Sequence, residues 1–124
     1  MTIDGLRDYG LAKPGSYLDF PFDDETMTLR VGPAGAGRIF ALAGINGRPA
    51  RANLKCHPEL ARELRAAYPG AVRPGFHMNK EHWNTVELEA GLDEALLRSL
   101  VDLSYDLARA GLPRSAKRSL GLAD

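Results

Sequence analysis

The sequence predicts an α+β fold: an antiparallel sheet of about five strands with helices on one face. Three observations carry this. Short segments between residues 16 and 56 alternate apolar and polar side chains, the period of a half-buried strand. Longer segments at 57–70 and 93–110 repeat apolar residues every three or four positions, as a helix does. Most of the strands run consecutively with the helices kept apart, which suits an antiparallel sheet better than βαβ units.

The elements follow in order. Ile3 to Ala12 predicts a short helix with Ile3, Leu6, Tyr9 or Gly10, and Ala12 on one side. KPGS at 13–16 stops it, because Pro14 disfavours helical geometry at the residue before it and Gly15 frees the turn. SYLDFPF (16–22) alternates, with Leu18, Phe20 and Phe22 on one face, and Pro21 restricts it to a sheet edge. DDET turns the chain. In MTLRV, Met27, Leu29 and Val31 point one way, Thr28 and Arg30 the other.

GPAGAG at 32–37 is a hairpin connection lacking the Lys-Ser/Thr pair of a phosphate-binding loop. RIFALAGI (38–45), apolar on both faces, predicts a central strand. Asn46-Gly47 is a strong hairpin signal. RANLKC (51–56) sends Ala52, Leu54 and Cys56 inward and Arg51, Asn53 and Lys55 outward. HPELARELRAAYPG predicts a helix opened by Pro58 and closed by Pro69-Gly70, with Leu60, Leu64, Ala67 and Tyr68 as its stripe. TVELEA (85–90) is the fifth strand, with Val86, Leu88 and Ala90 against Thr85, Glu87 and Glu89. Asp93 caps a last helix reaching about Ala110, with Leu96, Leu100, Leu103 and Leu107 as its face and Leu97, Val101 and Ala108 beside them. Residues 1–113 are expected to form one domain, and 114–124 a short frayed tail with room for one helical turn.

Composition bounds the function. The 124 residues are 44% hydrophobic and 26% charged, ordinary for a single soluble domain. No apolar run approaches the roughly 20 residues a bilayer span needs, so no membrane partner is expected. The polar, acidic N-terminus does not resemble a signal peptide, and with one Cys no internal disulfide can form, so a cytoplasmic location is expected. The net charge is zero but unevenly spread: residues 28–82 hold nine Lys/Arg against three Asp/Glu. If those residues form one face, that face attracts anions despite the neutral total.

Chemistry-bearing residues concentrate in RPGFHMNKEHWNTV (73–86), which holds the single Trp and two of three His. Arg51, Asn53 and Lys55 on the outward face of their strand join Arg73, His77, Asn79, Lys80, His82, Trp83 and Asn84 as candidate binding residues. The cations would clamp phosphates, with the Asn side chains adding neutral hydrogen bonds. Trp83 is expected to plug the gap between sheet edge and helix, with base stacking as its other use. His77, His82, Cys56 and His57 are zinc-ligand types, yet no CxxC or helical His pair is present, so no metal is expected. Cys56 is expected in the core beside Leu54, and no nucleophile, base and orienting group share a usable spacing. Neither a catalytic residue nor a cofactor is expected.

The segments KPGSYLDFPF, NLKCHPELARELRAAYP, VRPGFHMNKEHWNTVEL and LVDLSYDLARAGLP resemble the MmcQ/YjbR family of small bacterial proteins. The resemblance runs from about residue 6 to about 114. It implies a CyaY (frataxin-like) arrangement and DNA binding through a "double wing" of hairpins. Two positions depart from the pattern: His57 stands where Asp is usual, and Phe76 where Tyr is frequent. A protonated His opposes the positive end of the helix dipole, and Phe lacks the hydroxyl. The resulting expectation is a non-enzymatic DNA-binding protein, weakly sequence-selective through a basic sheet face. The alternative is a module binding a protein or small anion through the same face and the 73–85 loop.

Overall fold

A computed structural model describes residues 1–122. Helix α1 (Ile3–Leu11) precedes strands β1 (Ser16–Asp19), β2 (Thr26–Val31), β3 (Arg38–Gly44) and β4 (Arg51–Lys55). Helix α2 (Pro58–Ala67), strands β5 (Val72–Pro74) and β6 (Trp83–Glu87), and helices α3 (Glu94–Ala110) and α4 (Arg114–Ser119) follow. The strands form one six-stranded sheet in the order β1-β2-β3-β4-β6-β5, every neighbouring pair antiparallel. β1 to β4 follow one another by hairpins. After α2 the chain reaches the far edge as β5 and returns as β6 between β5 and β4. The expectation of about five strands is therefore corrected to six: three residues ending in Pro74 are too short to show alternation, and pairing with β6 alone makes them a strand.

The core lies between the sheet and the helices on one of its faces. Met27, Leu29 and Val31 of β2 and Ala52 and Leu54 of β4 are buried there, on the faces that alternation assigns them. Register slips between Leu29 and Arg30, leaving Phe40 without a partner in β2. Phe40 is fully buried and meets the Tyr105 ring edge-on, with centroids 5.4 Å apart. α1 crosses close to the sheet at Gly10, where a Cβ would stand 2.5 Å from Leu29 Cδ1, so any larger residue would have to displace that buried side chain.

Three expected faces turn out differently. β1 ends at Asp19, leaving Phe20 and Phe22 exposed at 40% and 64%. Pro21 cannot extend the ladder, and Asp23 Oδ1 accepts from the Glu25 and Thr26 amides at 2.9 and 2.6 Å, holding the connection in a tight turn. In α2 the inward residues are Ala61 and Leu64, with Arg65 half-buried; Ala67 and Tyr68 are exposed, because only the short β5 lies beneath the helix end. In α3 the buried stripe is Leu97, Leu100, Val101, Ser104, Tyr105 and Ala108, with Leu96, Leu103 and Leu107 on its flank.

Ser104 explains the rotation of α3. Its hydroxyl donates to Phe40 O at 2.6 Å and accepts from the Lys55 amide at 2.8 Å, bridging β3 and β4 where their own pairing stops. A stripe chosen by apolarity alone cannot centre on a serine. The expected tail is also corrected, since α4 folds back and Leu122 is buried beside Gly15. Residues 123–124 of that tail lie outside the described residues. Among the described residues no helix is long and apolar enough to cross a membrane.

Candidate nucleic-acid interface

One row of side chains crosses the helix-free face, each directly opposite the next: Asp19, Thr28, Leu42, Asn53, Thr85 and Arg73. On either side of it Arg51 stands opposite Glu87, and Lys55 opposite Trp83. Because side chains two apart share a face, Arg51, Asn53 and Lys55 line up along β4, pointing away from the helices. Two connections rise beside the row, one over residues 20–25 and one over 75–82. Between them lies a groove of about 770 Å³, with Leu42 and Asn53 among its floor residues, Phe22 and Phe76 in its walls, and Arg51 and Arg73 in its lining.

The 75–82 connection is tied to the sheet by a closed set of hydrogen bonds. The Phe76 amide donates to Thr85 Oγ1 at 3.0 Å, and that hydroxyl donates to Asn53 Oδ1 at 2.5 Å. Asn53 Nδ2 returns to the Phe76 carbonyl at 3.2 Å. This explains why Thr85, expected to face solvent, is only 3% exposed. Gly75 is required where the loop starts, since a Cβ there would stand 2.8 Å from Trp83 Cβ. His77 takes a left-handed backbone (φ 59°), a strained state for a residue with a Cβ, and its ring leans on Phe76 at 4.0 Å. Asn79 Oδ1 caps the following turn, accepting from the Glu81 and His82 amides at 2.9 and 3.3 Å.

Charge on this face is partly cancelled. Arg30 pairs with Asp19 at 3.1 Å and donates to Gly37 O, also at 3.1 Å. Burial pushes the Asp19 carboxyl up, but hydrogen bonds from Thr28 and Arg30 outweigh it and hold the group below its ordinary range. Arg73 pairs with Glu87 at 2.9 Å and donates to Gly70 O at 2.7 Å. Glu87 is 8% exposed, and its Oε2 is buried with no hydrogen-bond partner among the described residues. Arg51, Lys55 and Lys80 make no ion pair among the described residues.

The YjbR family model matches residues 11–107. The chain belongs to the YjbR family. It is 37% identical to the uncharacterised protein YjbR of Escherichia coli K12 over 121 residues, covering 97% of this chain and 98% of that protein. It is 36% identical to the uncharacterised protein YbdF of Escherichia coli O157:H7, covering 84% of this chain and 81% of that one. The crystal structure of DR2400 from Deinococcus radiodurans, a DUF419 protein, matches with TM-score 0.91 at 41% identity, over 99% of this chain and 90% of its own. A Pseudomonas syringae crystal structure matches with TM-score 0.72 at 30% identity, over 88% of this chain and 100% of its own.

Within this YjbR-family chain the candidate residues separate into groups. Arg51, Asn53, Lys55 and Arg73 share the helix-free face, with Arg73 neutralised by Glu87. His77 reaches the groove wall, whereas Asn79 serves as a turn cap. Lys80 is exposed and donates to Gly75 O at 3.3 Å. His82 is exposed, and its carbonyl accepts from the Cys56 amide at 2.8 Å.

Two expectations are corrected here. Trp83 is half-buried and paired with Lys55 on the helix-free side, so it is not the plug between sheet and helix. That place belongs to Asn84, 2% exposed on the opposite face, which donates to Ala61 O at 3.4 Å and accepts from Arg65 Nε at 2.7 Å. Asn84 therefore cannot meet a ligand on the helix-free side; strand alternation carried back to residue 83 would have revealed it.

Arg65 was missed, and so were Phe22 and Phe76. Arg65 clamps the loop base, also donating to the carbonyls of Lys80 and Trp83. Phe76 carried a readable signal, as a large apolar residue in a turn-forming segment outside any periodic stripe; Phe22 did not, because the alternation of SYLDFPF assigns it to a strand face.

Cys56 is buried, and burial pushes its thiol above its ordinary value. His57 opens α2 without a side-chain capping bond, which Asp would supply. Among the described residues no three His, Cys, Asp or Glu side chains gather as metal ligands.

Proposed function

We propose that this protein is a small non-enzymatic nucleic-acid-binding protein, weakly sequence-selective, that meets its ligand with the helix-free face. The supporting observation is the file of Arg51, Asn53 and Lys55 along β4, whose two cations are free of any ion pair among the described residues. In this reading the connections at 20–25 and 75–82 would be the two wings, and the one-sided helical layer supports a CyaY-like arrangement. Weak selectivity follows from the contact type, because the cations meet phosphate, which carries no direct sequence information.

The cation count sets the magnitude. With Arg73 held by Glu87, the contacting set is Arg51, Lys55 and Lys80. Three neutralised phosphates on duplex DNA correspond to a log–log salt slope of about −2.7, and on a single strand to about −2. Fluorescence anisotropy of labelled oligonucleotides across a salt series measures this. A flat salt response, or unchanged binding in Arg51→Ala/Lys55→Ala, refutes the reading.

One observation favours a second reading. The groove's 770 Å³ falls within the roughly 300–1,000 Å³ of small-molecule sites. A small anionic ligand would bind with its anion at Arg51. Calorimetric titration with mononucleotides and inorganic phosphate separates this from strand binding.

A further inference from the structure

We infer that the preferred ligand is single-stranded nucleic acid, with an unstacked base lodged in the groove between Phe22 and Phe76. This rests on the nucleic-acid reading above and names the form of its ligand. Phe22 is 64% exposed and Phe76 70% exposed, and both line the same groove. Scattered exposed apolar residues are normal, but two phenyl rings in the walls of one cleft constitute a surface that water serves badly.

Phe76 is presented rather than loose. Its amide and carbonyl are both tied down, to Thr85 and Asn53, and His77 beside it is held in the left-handed region. The backbone is fixed while the ring is left in solvent, an arrangement suited to stacking at low ordering cost. Between the rings the floor is apolar at Leu42 and amide-bearing at Asn53, so it accepts a base face without demanding one base.

The cations fit a single strand better than a duplex. Arg51 and Lys55 are four residues apart on β4, about 13 Å at the strand rise. A duplex carries one charge per roughly 1.7 Å of axis, so about eight phosphates would pass that length against two cations. A duplex also keeps its base faces stacked inside, leaving Phe22 and Phe76 against sugar and phosphate. A single strand offers fewer charges and free base faces, which matches both features of the groove.

The experiment compares a labelled single strand with its matched duplex on the full chain at two salt concentrations. The variants are Phe22→Ala, Phe76→Ala and Phe76→Tyr. The single strand is expected to bind at least tenfold tighter than the duplex. Each Phe→Ala should weaken single-strand binding by about fivefold to a hundredfold, the range for one stacked base, with the salt slope unchanged. Phe76→Tyr, which keeps the ring, should bind like the parent and guards against a folding artefact. Equal affinity for both forms, with the alanine variants silent but a salt slope present, overturns the single-strand inference and leaves the nucleic-acid reading standing. Binding to neither form overturns both. Mononucleotides matching the oligonucleotide in affinity transfer the groove to the small-ligand reading and likewise overturn the inference.

Discussion

Replacing Thr85 by Val removes the centre of the bonding that holds the 75–82 loop to the sheet while leaving the side chain's volume nearly unchanged. Two hydrogen bonds disappear, from the Phe76 amide at 3.0 Å and to Asn53 Oδ1 at 2.5 Å. Thr85 is buried, but Asn53 is only half so and Phe76 is exposed, so water can recover part of what they lose. At about 1 kcal/mol net for each bond the cost is about 2 kcal/mol. For a chain of 124 residues that is a fall in Tm of about 8 °C, at roughly 4 °C per kcal/mol.

Thermal and urea unfolding measure the stability change, and amide hydrogen exchange at Phe76 reports local release of the loop. Thr85→Ser, which retains the hydroxyl, is expected to keep Phe76 protected. A Thr85→Val protein within about 0.5 kcal/mol of the parent, with Phe76 protection unchanged, would show that the loop is held by something else.

Three further outcomes are expected. Ser104→Ala strands the Phe40 carbonyl and the Lys55 amide in the layer between α3 and the sheet, costing about 3 kcal/mol in urea denaturation; a loss under about 1 kcal/mol contradicts the bridging role. Glu87→Gln frees Arg73 of its charge partner, so nucleic-acid affinity should rise and the log–log salt slope steepen by about 0.7 to 0.9; an unchanged slope means Arg73 does not reach phosphate.

The third concerns pH. Burial pushes the Asp102 carboxyl up, but hydrogen bonds from Lys13 and Tyr9 outweigh it and hold the group below its ordinary range. A depressed folded value means the stabilisation is present above the unfolded pKa of about 3.9 and fades as pH falls through the folded value. Asp102→Asn should therefore destabilise the protein at neutral pH, by about 1 kcal/mol or less because the carboxylate is half-exposed, and match the parent's Tm in strong acid. A Tm difference that persists in strong acid refutes this.

The ionic contact at Asp102 also shows how the two ends of the chain cooperate. Lys13 sits 2.5 Å from Asp102 and lies over the rings of Tyr9 and Tyr105, at 5.0 and 5.2 Å. The KPGS turn is thus fastened to α3 by charge and ring together, and β1 leaves from that point. The 20–25 connection therefore follows an anchored strand, and the 75–82 connection is clamped at its base by Arg65.

By itself the sequence determined the α+β class, the hairpin order of the first four strands, the core faces of β2 and β4, and the grouping of Arg51, Asn53 and Lys55. Those properties are local: a strand directs alternate Cβ atoms to opposite sides whatever it later packs against. Only the tertiary structure decided which face of α3 is buried, because Ser104 earns its central place from two backbone groups 64 and 49 residues away. It alone decided that Arg73 is paired and Arg51 is not, since Glu87 reaches Arg73 through the β5–β6 pairing. It also left Phe22, which alternation assigns to a strand face, in solvent. Exposure and charge pairing depend on what lies opposite a residue in space, and periodicity along the chain carries no information about an element that arrives from elsewhere.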